Sequence, residues 1–200
     1  MLRRVAARGF SLIELMVALV IIAVFITMGL PAFSQFLQNT QIRNAAQTTM
    51  AGLNLARAEA IRRNTLVRFQ LVSDLTGGCS LNAGALNWVV SLADPSGACD
   101  AAPSDTAAPR IVQKRSSSEG SRNAVVATTG GAAIVFNGLG RVSGGLGITQ
   151  LNFSNITGTC EHLDATNGTM RCLQIRVSSG GQVKLCDPKV GDTADPRHCS

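Results

Sequence analysis

Glu14 stands directly before an uncharged run, Leu15 to Phe33 (LMVALVIIAVFITMGLPAF), and a carboxylate in that place needs a partner. Unpaired at the head of a membrane-length helix, it costs roughly 2.5 kcal/mol or more. Four residues earlier lies Phe10, preceded by Gly9. A cut between Gly9 and Phe10 would expose an α-amino cation near the depth of Glu14, able to pair with the Glu14 of a neighbouring copy or relative. The chemistry on offer is ion pairing between chains.

Six cysteines, Cys79, Cys99, Cys160, Cys172, Cys186 and Cys199, all follow the apolar run. An even number in a translocated domain indicates disulfides formed in an oxidising periplasm. Fifteen connectivities exist for six cysteines. Pairing of sequence neighbours is the expected one: Cys79 with Cys99, Cys160 with Cys172, Cys186 with Cys199. There is no Cys-x-x-Cys, and His198 beside Cys199 has no second histidine nearby, so no metal centre is expected. Gly-x-Ser-x-Gly is absent, and the histidines lack carboxylate and nucleophile companions. This argues against an enzyme, and no cofactor is expected.

Two hundred residues allow one domain of ordinary size plus an appendage. With 46% hydrophobic and 15% charged residues the chain must fold. The net charge of +6 is less telling than it looks, because Arg3, Arg4 and Arg8 supply half of it. No tyrosine, one tryptophan and seven phenylalanines make a poor platform for stacking single-stranded nucleic acid. The uncharged run approaches the length needed to cross a bilayer of about 30 Å as a helix. The basic start MLRRVAARG would stay in the cytoplasm and send the rest of the chain outward. No Ala-x-Ala cleavage site follows the apolar core, unlike an ordinary secretory signal.

Gly9-Phe10-Ser11-Leu12-Ile13-Glu14, in this order behind a basic leader and ahead of the apolar run, resembles the leader junction of type IV pilins and type II secretion pseudopilins. The resemblance implies that a prepilin peptidase cuts after Gly9 and methylates the new amino-terminal Phe10. It also implies that Glu14 is the assembly glutamate and Pro31 the helix-softening proline. The fold it implies is α+β and type IV pilin-like: a long amino-terminal helix, half membrane-embedded and half amphipathic, packed on an antiparallel β-domain. The expected divisions are a leader at 1–9, a transmembrane or filament-core helix at 10–33, an amphipathic half at 34–64 and a periplasmic β-rich domain at 65–200. Implied partners are other pilins or pseudopilins through the helix, the prepilin peptidase, an inner-membrane assembly platform and membrane lipid.

Beyond Pro31, Ile42, Ala45, Ala46, Thr49, Leu53, Ala56 and Ala60 recur at helical spacing, with Arg43, Gln47, Asn54 and Arg57 mostly facing elsewhere. Gly29 and Pro31 predict a bend or local melting near Met28 to Leu30. The helix should end around Arg63 and Asn64, with Arg62 and Arg63 at its negative end. Eight β-prone runs follow: 66–72, 87–92, 110–114, 124–127, 133–137, 150–153, 171–177 and 182–185. Residues 93–109, rich in Ala, Asp, Pro and Ser, read as a surface loop. The last two strands should form a hairpin around Ser178-Ser179-Gly180, with Gly180 left-handed and Leu173 opposite Leu185. A turn of Ser179-Gly180-Gly181 keeps the same faces but sets Arg176 against Lys184, which is less favourable.

Phe136-Asn137-Gly138-Leu139-Gly140-Arg141-Val142 resembles the turn of the GspH/FimT branch of these proteins. The bland reading of its glycines is a tight turn with Arg141 in solvent. The branch includes minor pilins, minor pseudopilins and DNA receptors of natural transformation. Its DNA-binding members carry a Gly-Arg-x-Arg element. Here the matching stretch is Gly181-Gln182-Val183-Lys184, with one fixed charge missing. The outward row would be Gln174, Arg176 and Lys184, with Arg171, Lys189 and Arg197 adjoining, enough for weak DNA binding. The reading as a whole is a minor pilin or pseudopilin, with a DNA receptor as the alternative. It would be anchored in the inner membrane by one span, amino terminus in the cytoplasm and carboxy-terminal domain in the periplasm, and incorporated in a pilus or pseudopilus.

Overall fold

The computed structural model describes residues 10–144, 147–161 and 168–199. Helix α1, Leu12–Arg63, is followed by nine strands among these residues. They are β1 (Val67–Val72), β2 (Asn87–Ser91), β3 (Ile111–Arg115), β4 (Ala124–Thr129), β5 (Ala133–Phe136), β6 (Val142–Ser143), β7 (Gln150–Asn155), β8 (Leu173–Val177) and β9 (Val183–Cys186). The chain divides into two compact units, Met1–Leu37 and Gln38–Ser200. In the first, Phe10 to Ile26 are exposed along the helix, a bare apolar surface. Helical backbone continues through Met28 to Pro31, so the expected local melting is absent.

In the second unit every residue of the expected stripe is buried: Ile42, Ala45, Ala46, Thr49, Leu53, Ala56 and Ala60. Gly52 lets the helix come close to β1 and β2. A Cβ there would lie 2.8 Å from Phe69 and 3.1 Å from Trp88, whose rings are 5.7 Å apart. The helix also satisfies loop backbones with its amides. Asn44 Nδ2 donates to the carbonyls of Glu119 (3.3 Å) and Gly120 (3.0 Å), Gln41 accepts from Asn123 N (2.9 Å), and Asn39 accepts from Arg171 N (2.8 Å). These bonds give loop backbone groups partners on the helix and help fix where the β-domain meets it.

The helix ends as a Schellman motif: Thr65 N donates to Ala60 O and Asn64 N to Ile61 O, with Asn64 at φ 47°. In its last turns Glu59 accepts from Arg62 (2.7 Å) and Arg63 (2.7 Å), and Arg63 reaches Asp105 (2.6 Å). Hydrogen bonds from Arg62, with Arg63 beside it, hold the Glu59 carboxyl down to about 2. A lowered carboxylate stabilises fully above its unfolded value and loses that contribution as pH falls through the folded one. Stability measured by chemical denaturation should therefore drop between about pH 4.5 and pH 2. Glu59→Gln should flatten that acid limb and cost about 1 kcal/mol at neutral pH.

The strands form two antiparallel sheets, ordered β3-β2-β1-β5-β6 and β4-β7-β8-β9. Phe69, Trp88, Ile134 and Phe136 of the first sheet and Leu151, Phe153 and Ile175 of the second share one core with the helix stripe. All eight expected strands are present. β6 was not expected, being only two residues long and without a readable period. The stretch 93–109 is more than a surface loop. It lies over the other face of the five-stranded sheet, where Val72, Val89, Cys79, Cys99 and Ile111 form a second small core. Lys114 Nζ fastens it by donating to the carbonyls of Cys99, Asp100 and Ala101.

The closing hairpin adopts the disfavoured register. Ile175 faces Leu185, Arg176 faces Lys184 and Val177 faces Val183. Gly181, not Gly180, takes the left-handed conformation (φ 81°), and its N–H donates to Ser178 O. The reason lies outside the hairpin. The turn packs on the Gly140-Arg141 backbone, and Val142 N donates to Ser179 O, so docking outweighs the modest cost of like charges across strands.

Candidate functional site

The amino-terminal site begins with Ser11, which caps α1. Its hydroxyl accepts the Glu14 N–H (3.3 Å), while a Glu14 carboxylate oxygen accepts both the Ser11 N–H (2.9 Å) and the Ser11 hydroxyl (3.0 Å). This is a capping box, with two orphan helix donors satisfied reciprocally. Glu14 therefore has partners within its own chain, besides the neighbouring amine expected for it. The signal was in the sequence, since Ser-x-x-Glu ahead of an apolar run is the capping-box pattern. Phe10 is 88% exposed beside it. Gly9 lies outside the described residues. The helix is long and apolar enough to cross a membrane, with a window of mean hydropathy 2.6 that is wholly unburied.

The Phe136–Val142 turn is a docking element. Asn137 Oδ1 accepts from Leu139 N (3.0 Å) and Arg141 N (3.1 Å), and Arg57 Nε reaches from the helix to Gly140 O (3.1 Å). Arg141 is exposed. Three disulfides are present, Cys79–Cys99, Cys160–Cys172 and Cys186–Cys199, each joining sequence neighbours. The last clips the carboxy-terminal tail to β9.

The five expected DNA-contacting cations do not form one patch. Arg176 and Lys184 stand opposite each other, with Arg176 Nε donating to Gln174 Oε1 (2.7 Å). Gln174 in turn donates to Asn152 (2.6 Å), which also accepts from Gln150 (3.0 Å). Arg171 and Arg197 line a separate groove. Arg171 pairs with Asp187 (2.8 Å), Arg197 with Asp195 (2.7 Å) and Lys189 with Glu161. Hydrogen bonds from Arg197 hold the Asp195 carboxyl at about 2, so that pair stays ionised through the neutral range. Three of the five cations are thus already matched by carboxylates, which reduces what they can offer to phosphates.

Two family models match the chain. Residues 4–30 match the prokaryotic N-terminal methylation motif, and residues 45–181 match the type II transport protein GspH. No curated protein matches. Two crystal structures of the type IV minor pilin FimU from Pseudomonas aeruginosa (strain PAO1) are similar at 14% identity. One covers 72% of this chain and 90% of its own (TM-score 0.41), the other 75% and 91% (TM-score 0.43). With well over half of its residues matched by the GspH model, and the methylation motif at its head, the chain belongs to the GspH family of pilin-like proteins.

Proposed function

We propose that this chain is a minor pilin-like subunit of a type IV pilus or a type II secretion pseudopilus. Its leader stays in the cytoplasm, its helix crosses the inner membrane and its β-domain lies in the periplasm. The prepilin peptidase cuts after Gly9 and methylates Phe10, and an inner-membrane assembly platform draws the subunit from lipid into a filament of other pilins, with Pro31 as the bending point. The observation that carries this reading is the Ser11–Glu14 box at the head of an unburied apolar helix. The box keeps the carboxylate satisfied while the subunit waits in the membrane. In the filament the α-amino group of a neighbouring subunit takes the place of the Ser11 donors, giving the carboxylate a counter-charge as well as a hydrogen-bond donor. Docking is thereby keyed to one register along the helix.

Mass spectrometry of the membrane-extracted protein should find a chain beginning at methylated Phe10. Gly9→Val should leave the nonapeptide attached, because the branched side chain blocks the small-residue position at the cut. A native protein retaining its first nine residues would overturn the reading, as would a mature-length product from Gly9→Val. The DNA-receptor alternative finds less support, because Arg171, Lys189 and Arg197 already face carboxylates.

A further inference from the structure

β9 is the open edge of the four-stranded sheet. Ser178 N donates to Gln182 O across the turn, so by alternation Lys184 and Cys186 direct their backbone groups to β8. Val183 and Leu185 therefore direct theirs outward, to an edge that no strand among the described residues occupies. The edge stops where Asp187 N donates to Arg197 O of the tail. Beside it lies a groove of about 380 Å³ lined by Arg43 of the helix, Leu173 and Leu185, and by Arg171, Asp187 and Arg197.

The charges in the groove are unequally used. Asp187, whose side chain is 5% exposed, takes Nε of Arg171, and that guanidinium's terminal nitrogens have no partner among the described residues. Arg197 gives both Nε and Nη2 to Asp195. Arg43 is exposed and has no ion-pair partner among the described residues. Arg43 thus lines the groove with no carboxylate to match it among the described residues, and Arg171, although paired with Asp187 through Nε, adds a second guanidinium next to the open strand edge.

We infer that this groove takes an extended acidic segment of a partner polypeptide. The segment adds as a fifth strand along Val183 and Leu185 and places an Asp or Glu side chain between Arg43 and Arg171. Strand addition supplies affinity through backbone hydrogen bonds, while the pocket beside the edge selects the side chain. The charge complementarity selects an acidic strand, and the short open edge admits only a few residues of it. The inference rests on the β-domain and on the lower helix, not on Glu14 or on filament formation.

The test uses the full chain in detergent micelles and a fluorescein-labelled peptide, TVDVEVT, read by anisotropy. Its amide counterpart TVNVQVT and the proline-interrupted TVDPEVT serve as comparisons. The acidic peptide should bind at least about tenfold more tightly than either, because one loses the charges and the other a ladder donor. Arg43→Glu, at an exposed position, should remove that preference, and Arg43→Lys should restore part of it. Hydrogen exchange should show the Val183 and Leu185 amides protected only in the presence of TVDVEVT. Equal binding of the three peptides, indifference to Arg43→Glu, or unprotected Val183 and Leu185 amides would each overturn strand addition. Displacement of TVDVEVT by free glutamate or duplex DNA at comparable concentration would assign the groove to a bare anion or to phosphate, and would overturn it equally.

Discussion

Glu14→Ala should yield a protein that inserts and is cleaved normally yet drops out of sheared filaments by about a hundredfold or more. Removing the carboxylate from the head of the apolar helix lowers the cost of membrane residence by roughly 2.5 kcal/mol, so insertion is not impaired. In the filament the loss leaves a neighbour's α-amino group buried without a counter-charge, a cost of about 3–5 kcal/mol. Ser11→Ala separates this from a capping effect. It removes the hydroxyl bonds of the same box, keeps the Ser11 N–H bond to Glu14, and should cost only about 1 kcal/mol of helix stability. Immunodetection of the subunit in filament and membrane fractions reads both variants. Equal behaviour of Ser11→Ala and Glu14→Ala would mean that Glu14 is a helix cap and nothing more.

Gly181→Ala should destabilise the β-domain by about 3 kcal/mol or more, a depression of roughly 6 °C or more in the thermal midpoint. An added Cβ would lie 1.9 Å from Gly140 O and 3.0 Å from Gly140 C, at a φ of 81°. Backbone held by Arg57 Nε cannot swing aside as a flexible side chain could. Gly180→Ala is the informative companion, since its Cβ meets only Ser178 Oγ, at 3.7 Å. It should change stability by less than about 0.5 kcal/mol. A hairpin closed by Ser178-Ser179-Gly180 would reverse that ranking, so thermal unfolding of the two variants discriminates the registers.

What could be read from the sequence follows the range of the forces involved. Periodicity located the buried helix face residue by residue, from Ile42 to Ala60, because one stripe meeting one core repeats every turn. Alternation and turn residues located eight strands for the same local reason. The closing hairpin was misread because its local preference, keeping Arg176 away from Lys184, is worth less than docking its turn on Gly140, a contact forty residues away in sequence that no local pattern records. The flap at 93–109 was read as solvated because its polar composition hides how few residues, Cys99 and Pro95 among them, need to be buried to close it. At the amino-terminal site the junction, the apolar run and Glu14 are legible in the sequence, and the spacing of Ser11 to Glu14 announces the cap. The groove beside β9 could not have been foreseen, since it joins Arg43 to Arg171 and Arg197 only through the tertiary fold.

The Cys79–Cys99 bond ties the flap over the outer side of the five-stranded sheet, beside Val72, Val89 and Ile111 and together with the Lys114 hydrogen bonds. With both cysteines in the dithiol state the apolar patch beneath the flap would open more readily to solvent. Closing the bond shuts it, adding about 3 kcal/mol by shortening the slack of the unfolded chain.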